Sequence, residues 1–167
     1  DGTLPFFLFF QEVAEVNSKV WVRHYAKDLA TITAAEELFA WTEQEGIKVD
    51  VLINNAGMFS FCDILNTPTE RIERTILLHD MTTTKMCRIY ADDMAKRGGG
   101  YILNMSSYSI WMPYPGLSLY SASKAYLKSF SVAFSKEVRE KGVYVTVICP
   151  AGIATDLYGL SKDLQKF

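Results

Sequence analysis

Apolar residues gather into five short runs along the chain, at residues 4–10, 19–26, 49–53, 101–105 and 143–149. Each has the length of a strand. Between the later runs the apolar positions adopt helical spacing, over residues 31–45, 69–96 and 118–141. These stretches stop close to Gly46, Gly98 and Gly142, and glycine is the residue that most readily closes a helix. Apolar strands alternating with helices through short joins predict a parallel sheet with helices on both faces, because a parallel neighbour is reached only by a crossover. In such sheets ligands bind beyond the carboxyl ends of the strands. Three exits there carry small or polar residues: Asn54-Asn55-Ala56-Gly57, Ser106-Ser107 and Pro150-Ala151-Gly152. Any one of them alone reads as an ordinary turn; together they point to one cleft.

Composition narrows the field. At 167 residues, 49% hydrophobic and 22% charged, the chain is long enough for a single core, and residues 1–167 read as one domain. A formal net charge of −2, with the basic residues scattered, argues against nucleic acid as a partner. Cys62, Cys87 and Cys149 sit among apolar or small residues without the paired spacing of a metal site or a disulfide framework. They read as buried thiols in a reducing cytoplasm, and no metal is expected. The run at 4–10 is too short to span a bilayer and has no basic residue ahead of it, so it reads as a buried strand rather than a membrane or targeting segment. Gly98-Gly99-Gly100 ends a helix and feeds a strand, the reverse of the order that cradles phosphate.

Tyr120 and Lys124 lie four apart at the start of a helical pattern, so both project from one face. An ammonium beside a phenol, whose ordinary pKa is about 10, favours phenolate and makes it a usable proton donor and acceptor. Ser107, at a strand end thirteen residues before Tyr120, is placed to hydrogen-bond a substrate oxygen. The spacing is not unique, since Tyr158 and Lys162 repeat it. Thirteen residues before Tyr158, however, stands Val145, an apolar strand residue.

The series Asn54-Asn55-Ala56-Gly57, Asn104-Met105-Ser106-Ser107, Tyr120-Ser121-Ala122-Ser123-Lys124 and Pro150 to Thr155 resembles the short-chain dehydrogenase/reductases. The resemblance runs from about Lys19 to about Leu157. It implies an α/β, Rossmann-like, doubly wound parallel sheet, NADP or NAD as hydride carrier with NADP ahead, and a carbonyl or secondary alcohol as substrate. Matched residue by residue, Tyr120 becomes the general acid/base, Lys124 lowers its pKa and holds the nicotinamide ribose, and Ser107 orients the substrate. Asp28 and Leu29 correspond to the adenine contact, Asn55, Ala56 and Gly57 to the adenosine side, and Ile153 and Thr155 to the nicotinamide contact.

Two positions depart from the family pattern. His79 stands where an asparagine usually supports a proton relay; it reads either as a substitute in that relay or as a hydrogen-bonded core side chain. Ala151 replaces the glycine after the motif's proline. At the amino end nothing matches the glycine-rich turn that grips pyrophosphate. Residues 4–10 and 11–18 look like the family's second strand and a shortened second helix, and the substrate-covering segment after Thr155 is short. The sheet is therefore expected to be incomplete at both ends. Further residues outside this sequence, a truncated gene, or residues 4–10 filling the central slot would each account for this, the first being preferred.

An oxidoreductase is the leading reading. A non-catalytic remnant acting as an interaction or oligomer-forming subunit, and a nucleotide-sugar epimerase, are the alternatives; the Asn54 to Gly57 motif and the short motif spacing count against the epimerase. Residues 118–141 are apolar around much of the helix, which implies burial on both sides and, by the resemblance, a homodimer or homotetramer; the competing reading is aromatic residues singly exposed on a monomer. Trp111, Met112, Tyr114 and Leu119 make the preceding loop apolar, which favours a hydrophobic small-molecule substrate.

Overall fold

The computed structural model describes residues 21–152. The expected elements at 4–10 and 11–18, and Ile153, Thr155, Tyr158 and Lys162, lie outside them. Three parallel strands, β1 (Val51–Asn54), β2 (Gly100–Met105) and β3 (Val143–Ile148), form a sheet in chain order, with Leu52 beside Ile102 and Ile102 beside Val145. Helix α1 (Ala34–Gln44) precedes β1. A continuous helical run joins β1 to β2, made of α2 (Thr69–Ile76), a π-helical segment (Leu77–Thr82) and α3 (Thr83–Lys96). Helix α4 (Ser118–Val138) and a 3-10 turn (Arg139–Lys141) join β2 to β3.

The crossovers and the strand alternation agree on where the core sits. Leu52, Ile102 and Val143 form one buried core with Met86, Tyr90 and Met94 of α3 and Val138 of α4. Successive strand residues point to opposite faces, so Val51, Ile53, Tyr101, Tyr144 and Ile148 share the other one, where they are exposed. Tyr101 and Tyr144 are register partners there and stack at 5.6 Å. The described helices thus cover one face of the sheet.

The glycine run before β2 has a steric reason. Gly99 has φ +131°, and a methyl group on it would lie 2.4 Å from the Gly142 carbonyl oxygen, which also accepts the Gly100 N–H. The entries to β2 and β3 approach too closely for any side chain.

The run at 19–26 departs from expectation. Its described part, residues 21–26, has no regular secondary structure. A strand needs a neighbour to satisfy its backbone, and these residues turn to α1 instead. Tyr25 stacks on Trp41 at 5.1 Å, Arg23 faces Glu45 at 3.8 Å, Lys27 binds Glu37, and Trp21 stays 60% exposed. Of the three cysteines, all free, only Cys87 is buried; Cys62 and Cys149 are half-buried because they lie in connections rather than in the core.

Candidate active site

The strand exits converge as the alternating pattern predicts. A buried polar pin fixes them: Asn54 Nδ2 donates to Asn104 Oδ1 at 2.8 Å, and Asn104 Nδ2 donates to Ser131 Oγ on α4 at 2.8 Å. Neighbouring strand ends and the helix above them are thereby held in one register. Beyond the pin, Ser106 Oγ donates to the Lys124 carbonyl at 2.7 Å, fastening the end of β2 to the first turns of α4.

Ser107 and Tyr120 line one cavity of about 230 Å³, walled by Phe59, Tyr108, Ser109, Leu117 and residues 150–152. Tyr120 is 7% exposed, with Phe59 edge-on to its ring at 5.2 Å. Ser107 Oγ accepts the Ser109 N–H at 3.2 Å and keeps its own proton to donate. Lys124, 5% exposed, sits behind the tyrosine with Nζ 5.8 Å from the ring centre and donating to the Met105 carbonyl at 2.9 Å. Burial pulls its ammonium down to about 8, against an opposing pull from Asp80.

His79 is 1% exposed and its tautomer follows from its partners. Ser123 Oγ spends its single proton on the Tyr120 carbonyl at 2.8 Å, so His79 Nδ1 is the donor in the 2.8 Å bond to Ser123. Nε2 then accepts the Met58 N–H at 2.9 Å. Burial, reinforced by the Lys124 charge, lowers the imidazole to about 3. The ring is neutral, saturated with hydrogen bonds, and ties the 55–58 loop to α4.

Asn55, Ala56 and Gly57 form an exposed rim beside Lys124. A methyl group on Gly57 would lie 3.2 Å from His79 Nε2 and 3.5 Å from Lys124 Nζ, so the bare backbone lets this rim close on both. Asp28 and Leu29 stand at the end of the segment before α1. Asp28 Oδ1 accepts the Ala30 N–H at 2.9 Å, Oδ2 faces Arg74 at 3.0 Å, and together they hold the carboxyl below its usual range. The Leu29 carbonyl accepts Thr82 Oγ1 at 2.8 Å.

The loop nominated for the substrate contributes differently from expectation. Trp111 lies under Lys128 at 4.6 Å, Tyr114 stacks on Phe61 at 6.4 Å, and Met112 is exposed. It is Leu117, with Phe59 and Tyr108, that walls the cavity; Leu119 does not. The sequence motifs also passed over Asp80 and Ser123. Ser123 was within reach as part of the Tyr-Ser-Ala-Ser-Lys stretch, whereas the π segment that sets Asp80 has no sequence signature.

A parallel α/β sheet whose strand exits bring a serine, a tyrosine and a buried lysine together defines a Rossmann-like enzyme class. The chain matches the short chain dehydrogenase family model over residues 9–165 and belongs to that family. It is 37% identical over 105 residues to the very-long-chain 3-oxoacyl-CoA reductase of Pyricularia oryzae, covering 62% of this chain and 32% of that protein. With the 17-beta-hydroxysteroid dehydrogenase type 3 of Mus musculus it shares 38% identity over 116 residues, 68% of this chain and 38% of that protein. The chain therefore spans just over a third, or less, of the length of these relatives. A short-chain dehydrogenase from Sphingobium yanoikuyae in complex with NADPH superposes with a TM-score of 0.84 at 26% identity, over 95% of this chain and 61% of that one.

Proposed function

We propose that this chain carries the catalytic centre of an NAD(P)-dependent oxidoreductase acting on a carbonyl or secondary alcohol. The observation that carries the reading is the shared cavity of Ser107 and Tyr120 above the buried ammonium of Lys124. The nicotinamide supplies or accepts the hydride when bound. Ser107 Oγ donates to the substrate oxygen and orients it. Tyr120 gives its phenolic proton to that oxygen in reduction and takes it back in oxidation, while the Lys124 charge stabilises the phenolate left behind. His79 acts as a strut rather than as a proton carrier, since its ring has no free nitrogen and stays neutral.

The cofactor fits the rim at Asn55, Ala56 and Gly57, where exposed backbone runs alongside Lys124. Asp28 and Leu29 are assigned to its adenine end and Ile153 and Thr155 to its nicotinamide end. NADP is preferred to NAD; the similar structures include an NADPH complex as well as NADH complexes. The substrate is assigned as a hydrophobic ketone or its alcohol. Phe59, Tyr108 and Leu117 give the cavity apolar walls, the relatives named above act on very-long-chain acyl and steroid compounds, and another similar structure is a bulky-bulky ketone specific alcohol dehydrogenase.

The outer face of α4, with Tyr126 43% and Val132 46% exposed beside a groove at Trp111, Ala125 and Ala133, is assigned as a contact between copies in a homodimer or homotetramer. A cytoplasmic setting is assigned from the free cysteines. Among the described residues no helix is long and apolar enough to cross a membrane.

Fluorescence titration with NADPH and then NADH tests the site. Binding is expected to saturate for the native chain and to weaken at least tenfold in Gly57→Val, whose side chain would invade the contact with His79 and Lys124. Equal affinity in the two proteins would remove the rim from the cofactor site.

A further inference from the structure

The catalytic roles leave unused one half-buried ionisable group whose carboxyl has an inaccessible oxygen. Asp80 follows His79 in the π segment, on the stretch that packs against α4. His79 reaches Ser123 of α4. Asp80 itself is half-buried, but its Oδ1 is inaccessible to solvent and, among the described residues, has no hydrogen-bond partner. A buried carboxylate oxygen without a donor costs free energy unless a positive charge lies near.

Lys124 presents the complementary need. It is nearly fully buried, and of the three hydrogens on its ammonium only one has an identified acceptor, the Met105 carbonyl. Three of the other charged side chains on the surrounding elements are engaged elsewhere. Arg74 of α2 faces Asp28, Lys85 of α3 faces Glu36, and Lys128 of α4 lies over Trp111. His79 is neutral and lies edge-on to Tyr120 at 6.0 Å.

We propose that Asp80 is a positioning residue for the reaction, the half-buried counter-ion that keeps Lys124 protonated beneath Tyr120. It acts through the lysine, across space rather than through a shared hydrogen bond. The electrostatics agree in both directions: burial raises the Asp80 carboxyl to about 6 even with the Lys124 charge pulling it down, and the Asp80 charge in turn raises Lys124 against burial. Only the catalytic consequence rests on the oxidoreductase reading; the coupling is a property of the chain alone.

The test is a side-chain NMR titration of the whole chain without cofactor, with labelled lysine, and with Lys124→Met to assign the resonance. Lys124 is expected to titrate near 8 in the native protein. In Asp80→Asn its midpoint should fall by about one pH unit, a roughly tenfold weaker hold on the proton, and Asp80→Glu should restore most of it. An unchanged midpoint in folded Asp80→Asn overturns the proposal, because a merely structural aspartate would not move the lysine. Should Asp80→Asn not fold, the Asp80 carboxyl carbon is followed in Lys124→Met instead. Its midpoint must rise above the native one, and an unmoved midpoint overturns the proposal equally. Failure of the oxidoreductase reading would show separately, as absent turnover with the coupling intact.

Discussion

Acidification should weaken the fold through His79, and the size of the effect can be worked out. The imidazole ordinarily titrates at 6.5 but is held to about 3 in the folded chain, chiefly by burial. Between those values the unfolded chain binds a proton that the folded chain does not, so stability rises with pH across this window and is lost as pH falls through it. From pH 7 to pH 5 the loss through this one group is about 2 kcal/mol. Any folded pKa well below 5 gives the same figure, because only the unfolded side chain titrates in that interval. Asp80 works in the opposite sense. Its folded carboxyl is raised to about 6, so between there and its ordinary 3.8 the folded chain binds the extra proton and gains stability as pH falls. The native pH profile therefore mixes two opposed slopes, and a variant is needed to separate them. His79→Asn removes the titrating ring and leaves Asp80 in place. Urea unfolding followed by tryptophan fluorescence at pH 7 and pH 5 should find the native chain more stable than His79→Asn at pH 7 and that advantage about 2 kcal/mol smaller at pH 5. An advantage that stays constant between the two pH values would show that His79 is not buried and neutral, and the strut would have to be abandoned.

Other substitutions bear on the same region. Lys124→Met removes an ammonium held at about 8 by burial, which favours the fold at pH 7 by up to about 3 kcal/mol, but it also strips Asp80 of its counter-charge, so thermal or urea unfolding should show a net gain below that figure. Asn104→Ala should destabilise by about 1–3 kcal/mol, because it leaves Asn54 Nδ2 and Ser131 Oγ without their buried partner; a loss well under 1 kcal/mol would mean that the pin at the strand ends contributes little.

The parts legible in the sequence are those set by periodicity and by short local motifs. β2 and β3 match the apolar runs to within a residue, β1 sits a residue or two later than its run, and α4 begins at Ser118 as the spacing predicts. Ser107, Tyr120 and Lys124 come together because strand exits in a parallel sheet share one side, which follows from topology alone. Residues 21–26 misled because apolar content does not supply a pairing neighbour, and Tyr25 stacks on Trp41 of α1 instead. The cavity walls misled for a related reason. Composition marks a loop as apolar, but it cannot tell that Trp111 turns to Lys128 while Leu117 turns inward. The π segment is harder still, since Leu77–Thr82 continues a helical pattern with no break to announce the extra residue in the turn. That turn nevertheless decides the fate of His79 and Asp80.

The role proposed for Tyr120 is to exchange the proton while hydride passes to or from a carbonyl carbon. Turnover of apolar ketones with NADPH probes that role, comparing the native protein with Tyr120→Phe after both are shown to be folded and to bind the cofactor. The phenylalanine variant should lose roughly 10²–10⁴-fold in kcat/KM with cofactor affinity nearly unchanged. Undiminished turnover in Tyr120→Phe would rule the role out.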